Sequence, residues 1–548
     1  MREERVVRRR LGFGGTLVAT LFFCASLTPT LLPRPWIMQG VVGAITGILG
    51  YAVGAGAGAA GRALIRRRLP ERRRVLAWRA LIAGCALLTA LTLWYSLDWQ
   101  DDLRALMGMT TRISWFPPAI LAASVVLFAL FLLLARSVRL GGRKLITWLD
   151  RYVPARIARA TGVVIVAGVV GVLADDVLFQ GFVNAVNDAS SVANRSTDPG
   201  VTRPGSAKVS GGAGSLVPWE SLGREGRNFT GTVTPAARLR AFSGSAPAEP
   251  IRVYVGLQSA STPAEQAALA VRELERTGGF DRPVLAVLGT TGTGWVDEHI
   301  SGTLEHMYNG DCAMAALQYS YLPSWVSFLV DRGKAARAGR ALVDAVRARW
   351  ERLPAGRRPL LVVSGESLGS YELEGAFRDL PHLLGRVGGA LFVGPPQANP
   401  IWGAITEDRE PYSPVWRPVY QQGRTVRFGQ YPADLARPPG PWVRPRVVYL
   451  QNASDPVVWW TPELIYARPQ WLRAPRGPDV NPQMNWFPLV TFWQVLGDMV
   501  VAQDVPSGHG HVYGANVAEG WAAVAAPEGW SAGDTARLQA LISARSVP

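Results

Sequence analysis

The sequence predicts an α-helical transmembrane N-terminal domain followed by an α/β domain, a mostly parallel sheet with helices on both faces. Three observations predict it. Long apolar runs crowd the first third of the chain. All of the excess positive charge lies in that same third, between the runs. From Ile251 onward, short apolar runs of strand length alternate with helical segments. Bilayer-length runs with basic loops indicate membrane spans, and alternating strands and helices indicate a parallel sheet.

Four apolar runs approach the roughly 20 residues that a helix needs to cross a bilayer. They are Leu11–Leu32, Ile37–Ala60, Trp78–Leu97 and Phe116–Ala135. In the second, Gly40, Gly43, Gly47, Gly50, Gly54 and Gly58 recur every three or four residues. That spacing lines one helix face with small residues, so another helix can approach closely. A fifth run, Thr161–Val183, carries Asp175 and Asp176 toward its outer end. Carboxylates are costly at mid-membrane, and an interfacial segment competes with a fifth span here.

The net charge is +16, but residues 1–160 hold 23 Lys+Arg against 7 Asp+Glu, and the remainder is neutral. Charge confined to loops between apolar runs is a topology signal, and nucleic-acid binding is not expected. Arg-rich segments precede the first run and follow the second and fourth. The N-terminus and those loops are therefore expected on the cytoplasmic side of the cell membrane. With five spans the C-terminal half lies outside the cytoplasm; with four it lies inside. The three cysteines include no C-x-x-C, and the five histidines form no metal-ligand spacing. No cofactor or metal is expected.

The predicted organisation is a transmembrane domain of about five helices at 1–185, a linker and entry segment at 186–250 and an α/β domain at 251–548. The linker is rich in Gly, Ser, Asn and Thr and reads as flexible. In the last domain, strands are predicted at 251–257, 283–289, 359–365, 389–395 and 446–452, each apolar enough for burial on both faces. "TPAEQAALAVRELERTG" reads as a helix with a capping box, Thr262 and Glu265, and a terminal Gly278. Residues 334–353 are amphipathic at helical spacing.

The pattern G-x-S-x-G occurs twice, at Gly365–Gly369 and Gly529–Gly533. Only the first follows a strand at once and precedes a helix, as a nucleophile elbow requires. Ser367 is therefore the candidate nucleophile, and Ser531 a chance match. A nucleophilic serine needs a base and an acid that orients it, in the chain order Ser, Asp/Glu, His. Asp455 sits just past a strand end, where the acid belongs; Asp379 and Asp408 lack that setting. His509 and His511 follow in a glycine-flanked loop, and the sequence leaves both open as the base, His511 being nearer the final helix. The oxyanion hole takes one backbone donor from Leu368. Thr290 or Thr291, in "GTTGTGW" after an earlier strand, is expected to supply the other.

The chain resembles the bacterial membrane-anchored α/β-hydrolases, which join a multi-span N-terminal domain to a C-terminal catalytic domain. The residues that carry the resemblance are "TGTGWVDE", "QYSYLPSW", "GESLGS", "YLQNASDPVVWW" and "GHGHVYG". The resemblance implies an α/β-hydrolase fold and a serine-hydrolase triad, and it names no substrate.

Two excursions interrupt the core, Pro396–Pro445 and Trp459–Gly508, and both are rich in tryptophan. Insertions there often form lids, and tryptophan favours apolar ligands and membrane interfaces. The expected activity is hydrolysis of a lipid-like carboxylic ester or thioester through an acyl-enzyme on Ser367, on a protein embedded in a lipid bilayer. An acyltransferase with the same residues, or a non-catalytic lipid- or partner-binding protein, is the alternative. The sequence does not indicate an oligomeric state.

Overall fold

The computed structural model describes residues 11–64, 70–109, 115–152 and 179–545. The chain divides into two compact units. One runs to Phe182 and includes Trp460–Pro506; the other holds Val183–Trp459 and the residues from Ser507 on.

The first unit is built on α1 (Phe13–Leu27), α2 (Trp36–Leu64), α3 (Glu71–Leu106) and α4 (Pro117–Leu149). By length and composition, α2, α3 and the span Pro117–Trp148 of α4 can cross a membrane. The first apolar run is a shorter helix than the sequence predicts, with 15 residues. That is about 22 Å, short of a bilayer core of about 30 Å. Thr28 leaves the helix in an extended conformation, and Pro29 and Pro33 cannot restore it. Most of the fifth run, Thr161–Val183, lies outside the described residues.

The glycine stripe of α2 has the predicted use. A Cβ on Gly54 would lie 2.1 Å from the Gly14 carbonyl oxygen of α1. One on Gly40 would lie 2.8 Å from Ala123 of α4. Two different neighbours therefore pack on one face of α2.

The second excursion is not laid out as the sequence predicts. Its residues Trp460–Pro506 belong to the compact unit of the N-terminal helices. A helix at Val490–Val500 carries Asp498, which is fully buried and pairs with Arg34 Nε at 3.3 Å. The hydroxyl of Thr30 and the amide of Leu31 (3.1 Å) also donate to Asp498. Gln494 donates to the Ser26 carbonyl at 3.2 Å. Polar backbone freed where α1 stops is satisfied by this helix, because a buried unpaired donor is costly.

The second unit carries a seven-stranded sheet in the order β1-β3-β2-β4-β5-β7-β6, every pair parallel. The strands are β1 Ile251–Val255, β2 Val284–Leu288, β3 Cys312–Leu317, β4 Leu360–Glu366, β5 Gly389–Val393, β6 Val426–Gly429 and β7 Arg446–Leu450. Five match predicted strands. β3, "CAMAAL", lacks the β-branched residues that mark a strand, yet is buried throughout between β1 and β2. The short edge strand β6 lies inside the first excursion.

The helix Pro263–Thr277 forms the predicted capping box and ends at Gly278 with φ 80°. The segment at 186–250 is more ordered than its composition predicts. It holds the end of the helix Gln180–Ala193, a 3-10 turn at Trp219–Ser221 and the helices Gly223–Gly231 and Ala236–Ser243, and Val209 bridges β1 at Arg252. Val209, Val217 and Leu222 are buried, so a few apolar side chains anchor this polar stretch to the sheet.

Candidate active site

The carboxyl ends of β2, β4, β5 and β7 carry the chemistry-bearing residues, where open parallel sheets place their ligands. Ser367 follows the central strand β4 directly and opens the helix Leu368–Glu374. Its φ of 54° and ψ of −126° are strained for a residue with a side chain. The turn is held by contact between backbones. A Cβ on Gly365 would lie 2.5 Å from Gly369, and one on Gly369 would lie 2.6 Å from the Gly289 oxygen after β2. No side chain fits at either position. The Ser367 amide donates to Val393 of β5 at 2.8 Å, which fixes the serine against the neighbouring strand.

Asp455 lies just past β7 and is fully buried. Its Oδ2 accepts from His511 Nδ1 at 2.7 Å and from the Tyr513 hydroxyl at 2.6 Å, and its Oδ1 from the Val457 amide at 2.8 Å. Nδ1 of His511 is therefore the protonated nitrogen, and Nε2 is left as a base. Nε2 is buried and has no hydrogen-bond partner. The loop bearing His511 is pinned by Asn452, which donates to the Gly510 carbonyl, and by Ser454, which accepts from the Gly510 amide. His509 is in the same loop, half-buried, and bridges to Val512. It is His511 that pairs with the acid. Next to the ring, Gly394 has φ 53°, and a Cβ there would lie 2.5 Å from His511 Cε1.

The two threonines after β2 are engaged within the protein. The Thr290 amide donates to Glu372 Oε2 at 2.7 Å, and the Thr291 amide to the Trp295 carbonyl at 3.0 Å. Neither amide is available in this arrangement as an oxyanion donor. Leu368 stands at the first position of its helix, where amides lack intrahelical partners.

The remaining sequence candidates have structural roles. Asp379 caps a short helix by accepting from the His382 amide at 2.8 Å. Ser531 and Asp534 exchange hydrogen bonds at the exposed start of the last helix. The indoles of Trp402 and Trp459 are buried and donate to Gln451 and the Ala453 carbonyl, so they pack the core.

Two family models match. That of the alpha/beta-hydrolase family covers residues 251–538, and that of the alpha/beta-hydrolase family N-terminus covers residues 27–233. The chain belongs to the alpha/beta-hydrolase family. Neither the curated proteins nor the solved structures returned a match.

In this alpha/beta-hydrolase the site also holds groups that the sequence reading passed over. Glu366, the variable residue before the serine, is buried, with Oε1 3.9 Å from His511 Nε2. The charge of the buried Asp297 also bears on its carboxyl. Asp297 in turn caps the helix Glu298–Met307 and accepts from the ring of His299 at 3.0 Å. Burial, followed by the charge of Asp297, raises Glu366 well above the usual carboxylate range. Burial alone would raise Asp297 too, but the hydrogen bond and charge of His299 outweigh it and hold Asp297 low. Glu366 is therefore the protonated member of the pair. Tyr513 keeps its proton because burial and the charge of Asp455 raise its hydroxyl well above its normal range. Glu374, at the end of the elbow helix, is pushed up to about 7 by burial, against hydrogen bonds from Tyr449, Ile401 and Trp402. Tyr513 and Glu366 lie inside stretches that mark the site; only the fold shows where their side chains point.

Proposed function

We propose that this alpha/beta-hydrolase is a membrane-anchored serine hydrolase acting on a lipid-like carboxylic ester or thioester. The observation that carries the reading is the 2.7 Å pair between Asp455 and His511 Nδ1, which leaves Nε2 unpartnered beside the strand end that bears Ser367. In this reading Ser367 Oγ attacks the acyl carbon and its proton passes to His511 Nε2. Asp455 and Tyr513 hold the ring and the charge that it gains. The Leu368 amide stabilises the oxyanion. The leaving alcohol or thiol takes the proton from His511, and water then repeats the sequence on the acyl-enzyme. An acyltransferase would differ only in admitting an alcohol in place of water.

The lipid-like substrate rests on the three long apolar helices in the same chain. The reading places the chain as a multi-pass protein of the cell membrane, with the catalytic half outside. Nitrophenyl esters of increasing acyl length test both parts in detergent-solubilised protein. The expected result is a kcat/KM that rises with chain length and is lost in Ser367→Ala. A flat dependence on length would refute the lipid-like substrate, and turnover by Ser367→Ala would refute the nucleophile.

A further inference from the structure

The helix Ser324–Val330 follows β3 at the carboxyl end of the sheet, the end that carries Ser367. One of its faces is packed. Val326 and Leu322 join Val183 in a small apolar cluster. A Cβ on Gly292, in the loop after β2, would lie 2.6 Å from Ser327 Cβ. The rest of the helix surface is apolar too, yet it faces outward. Trp325, Leu329 and Val330 are 53%, 46% and 36% exposed. One exposed apolar side chain is ordinary, but three within two turns make a patch that asks for a partner.

Two observations say what that partner is. The first is charge. The chain beyond residue 160 is neutral as a whole, but residues 324–340 hold Arg332, Lys334, Arg337 and Arg340 against Asp331 alone. Asp331 is buried and paired with Lys334 at 2.8 Å. The Arg332 guanidinium lies over the Phe328 ring at 4.9 Å, so a cation stands at the rim of the patch. Arg337 is exposed further along the next helix, Arg332–Glu351. Apolar side chains edged by basic ones are how a helix lies in the interface of an anionic bilayer. The second observation is continuity. Val183, against which the helix packs, ends the fifth apolar run of the sequence, Thr161–Val183. Both readings of that run, a span or an interfacial segment, end it at a membrane surface.

We propose that the helix Ser324–Val330, with Arg332 and Arg337 at its edge, is a lipid-docking element that seats in the interface of an anionic bilayer. Leu329 and Val330 enter the apolar boundary, and the two guanidinium groups meet phosphate headgroups. Docking there turns the carboxyl end of the sheet toward the lipid. The inference goes beyond the serine-hydrolase reading and does not depend on it.

The test reads position, not turnover. The full-length protein is placed in nanodiscs of equal parts phosphatidylcholine and phosphatidylglycerol. An environment-sensitive dye is attached at Leu329→Cys in a Cys85→Ala background, the other two cysteines being buried. The control carries the dye at Ala237→Cys, exposed on the helix Ala236–Ser243. That helix lies at the opposite end of the sheet, where a Cβ on Gly310, just before β3, would lie 3.1 Å from Leu239 Cδ1. Lipids with a nitroxide near the headgroup should quench the dye at position 329 and leave that at 237 bright. The quenching should weaken when Arg332→Gln and Arg337→Gln are combined, and when phosphatidylcholine alone forms the bilayer. Four results would overturn the proposal. The dye at 329 is quenched by aqueous iodide and not by the lipid nitroxide. It is protected from both, which would mean a protein cover such as a second copy. It is quenched no more than the dye at 237. Or its quenching is unchanged without the two arginines and the anionic lipid. Survival of fluorophosphonate labelling in Ser367→Ala would end the serine-hydrolase reading and leave this inference standing.

Discussion

Replacing Gly394 with Ala applies a small steric load to the histidine of the site. The added methyl would lie 2.5 Å from His511 Cε1, 2.9 Å from Nδ1 and 2.8 Å from the Tyr513 ring. Carbon atoms settle at about 3.5 Å or more, so the ring must retreat by about 1 Å. A retreat of that size stretches the 2.7 Å bond between Nδ1 and Asp455 beyond hydrogen-bonding range. A misplacement of about 1 Å costs on the order of 100-fold in rate, or about 2.7 kcal/mol of barrier. The φ of 53° adds a strain of about 1–2 kcal/mol for a residue with a Cβ, which lowers stability without unfolding the chain. The assay is the second-order rate of fluorophosphonate labelling, with melting followed in parallel. The expected outcome is a loss of about two orders of magnitude in folded protein. A rate within about threefold of the wild type would refute the claim that the position of His511 limits reactivity.

Tyr513→Phe removes a 2.6 Å donor from Asp455 and should slow labelling by about tenfold, with about 1 kcal/mol of stability lost, as read by rate and by melting. Glu374 should make stability fall with rising pH. Its carboxyl titrates near 4.5 when unfolded and at about 7 when folded, so between those values the folded chain binds more protons than the unfolded one. The destabilisation grows across that window and is constant above it. Glu374→Gln should therefore gain melting temperature relative to wild type from pH 5 to 8 by about the equivalent of 1–3 kcal/mol; a pH-independent difference would contradict the assignment. Arg34→Met leaves Asp498 buried without its cation and should cost about 3–5 kcal/mol, seen as loss of folded yield. Joining it with Asp498→Leu should recover much of that loss.

Where the sequence was readable, a local rule applied. Five strands announced themselves as apolar runs of strand length, and Thr262 with Glu265 formed the capping box that its spacing implied. Ser367 was distinguished from Ser531 by the strand before it, and the glycines of α2 by their spacing. What stayed hidden depends on contacts distant in sequence. The alanine-rich β3 is a strand because β1 and β2 flank it. Thr290 and Thr291 looked like donors aimed at a ligand; a buried Glu372 and the Trp295 carbonyl take their amides. The excursion Trp460–Pro506 read as a lid by its position in the chain, but Asp498 and Gln494 satisfy polar groups at the end of α1. The choice between His509 and His511 was made by the direction of one side chain toward Asp455.

The most direct test is covalent. Membranes containing the protein would be treated with a fluorophosphonate probe beside Ser367→Ala and Ser531→Ala. The account predicts labelling of the wild type and of Ser531→Ala, and none of Ser367→Ala. Equal labelling of Ser367→Ala, or none of a folded wild type, would contradict an activated serine at the end of β4.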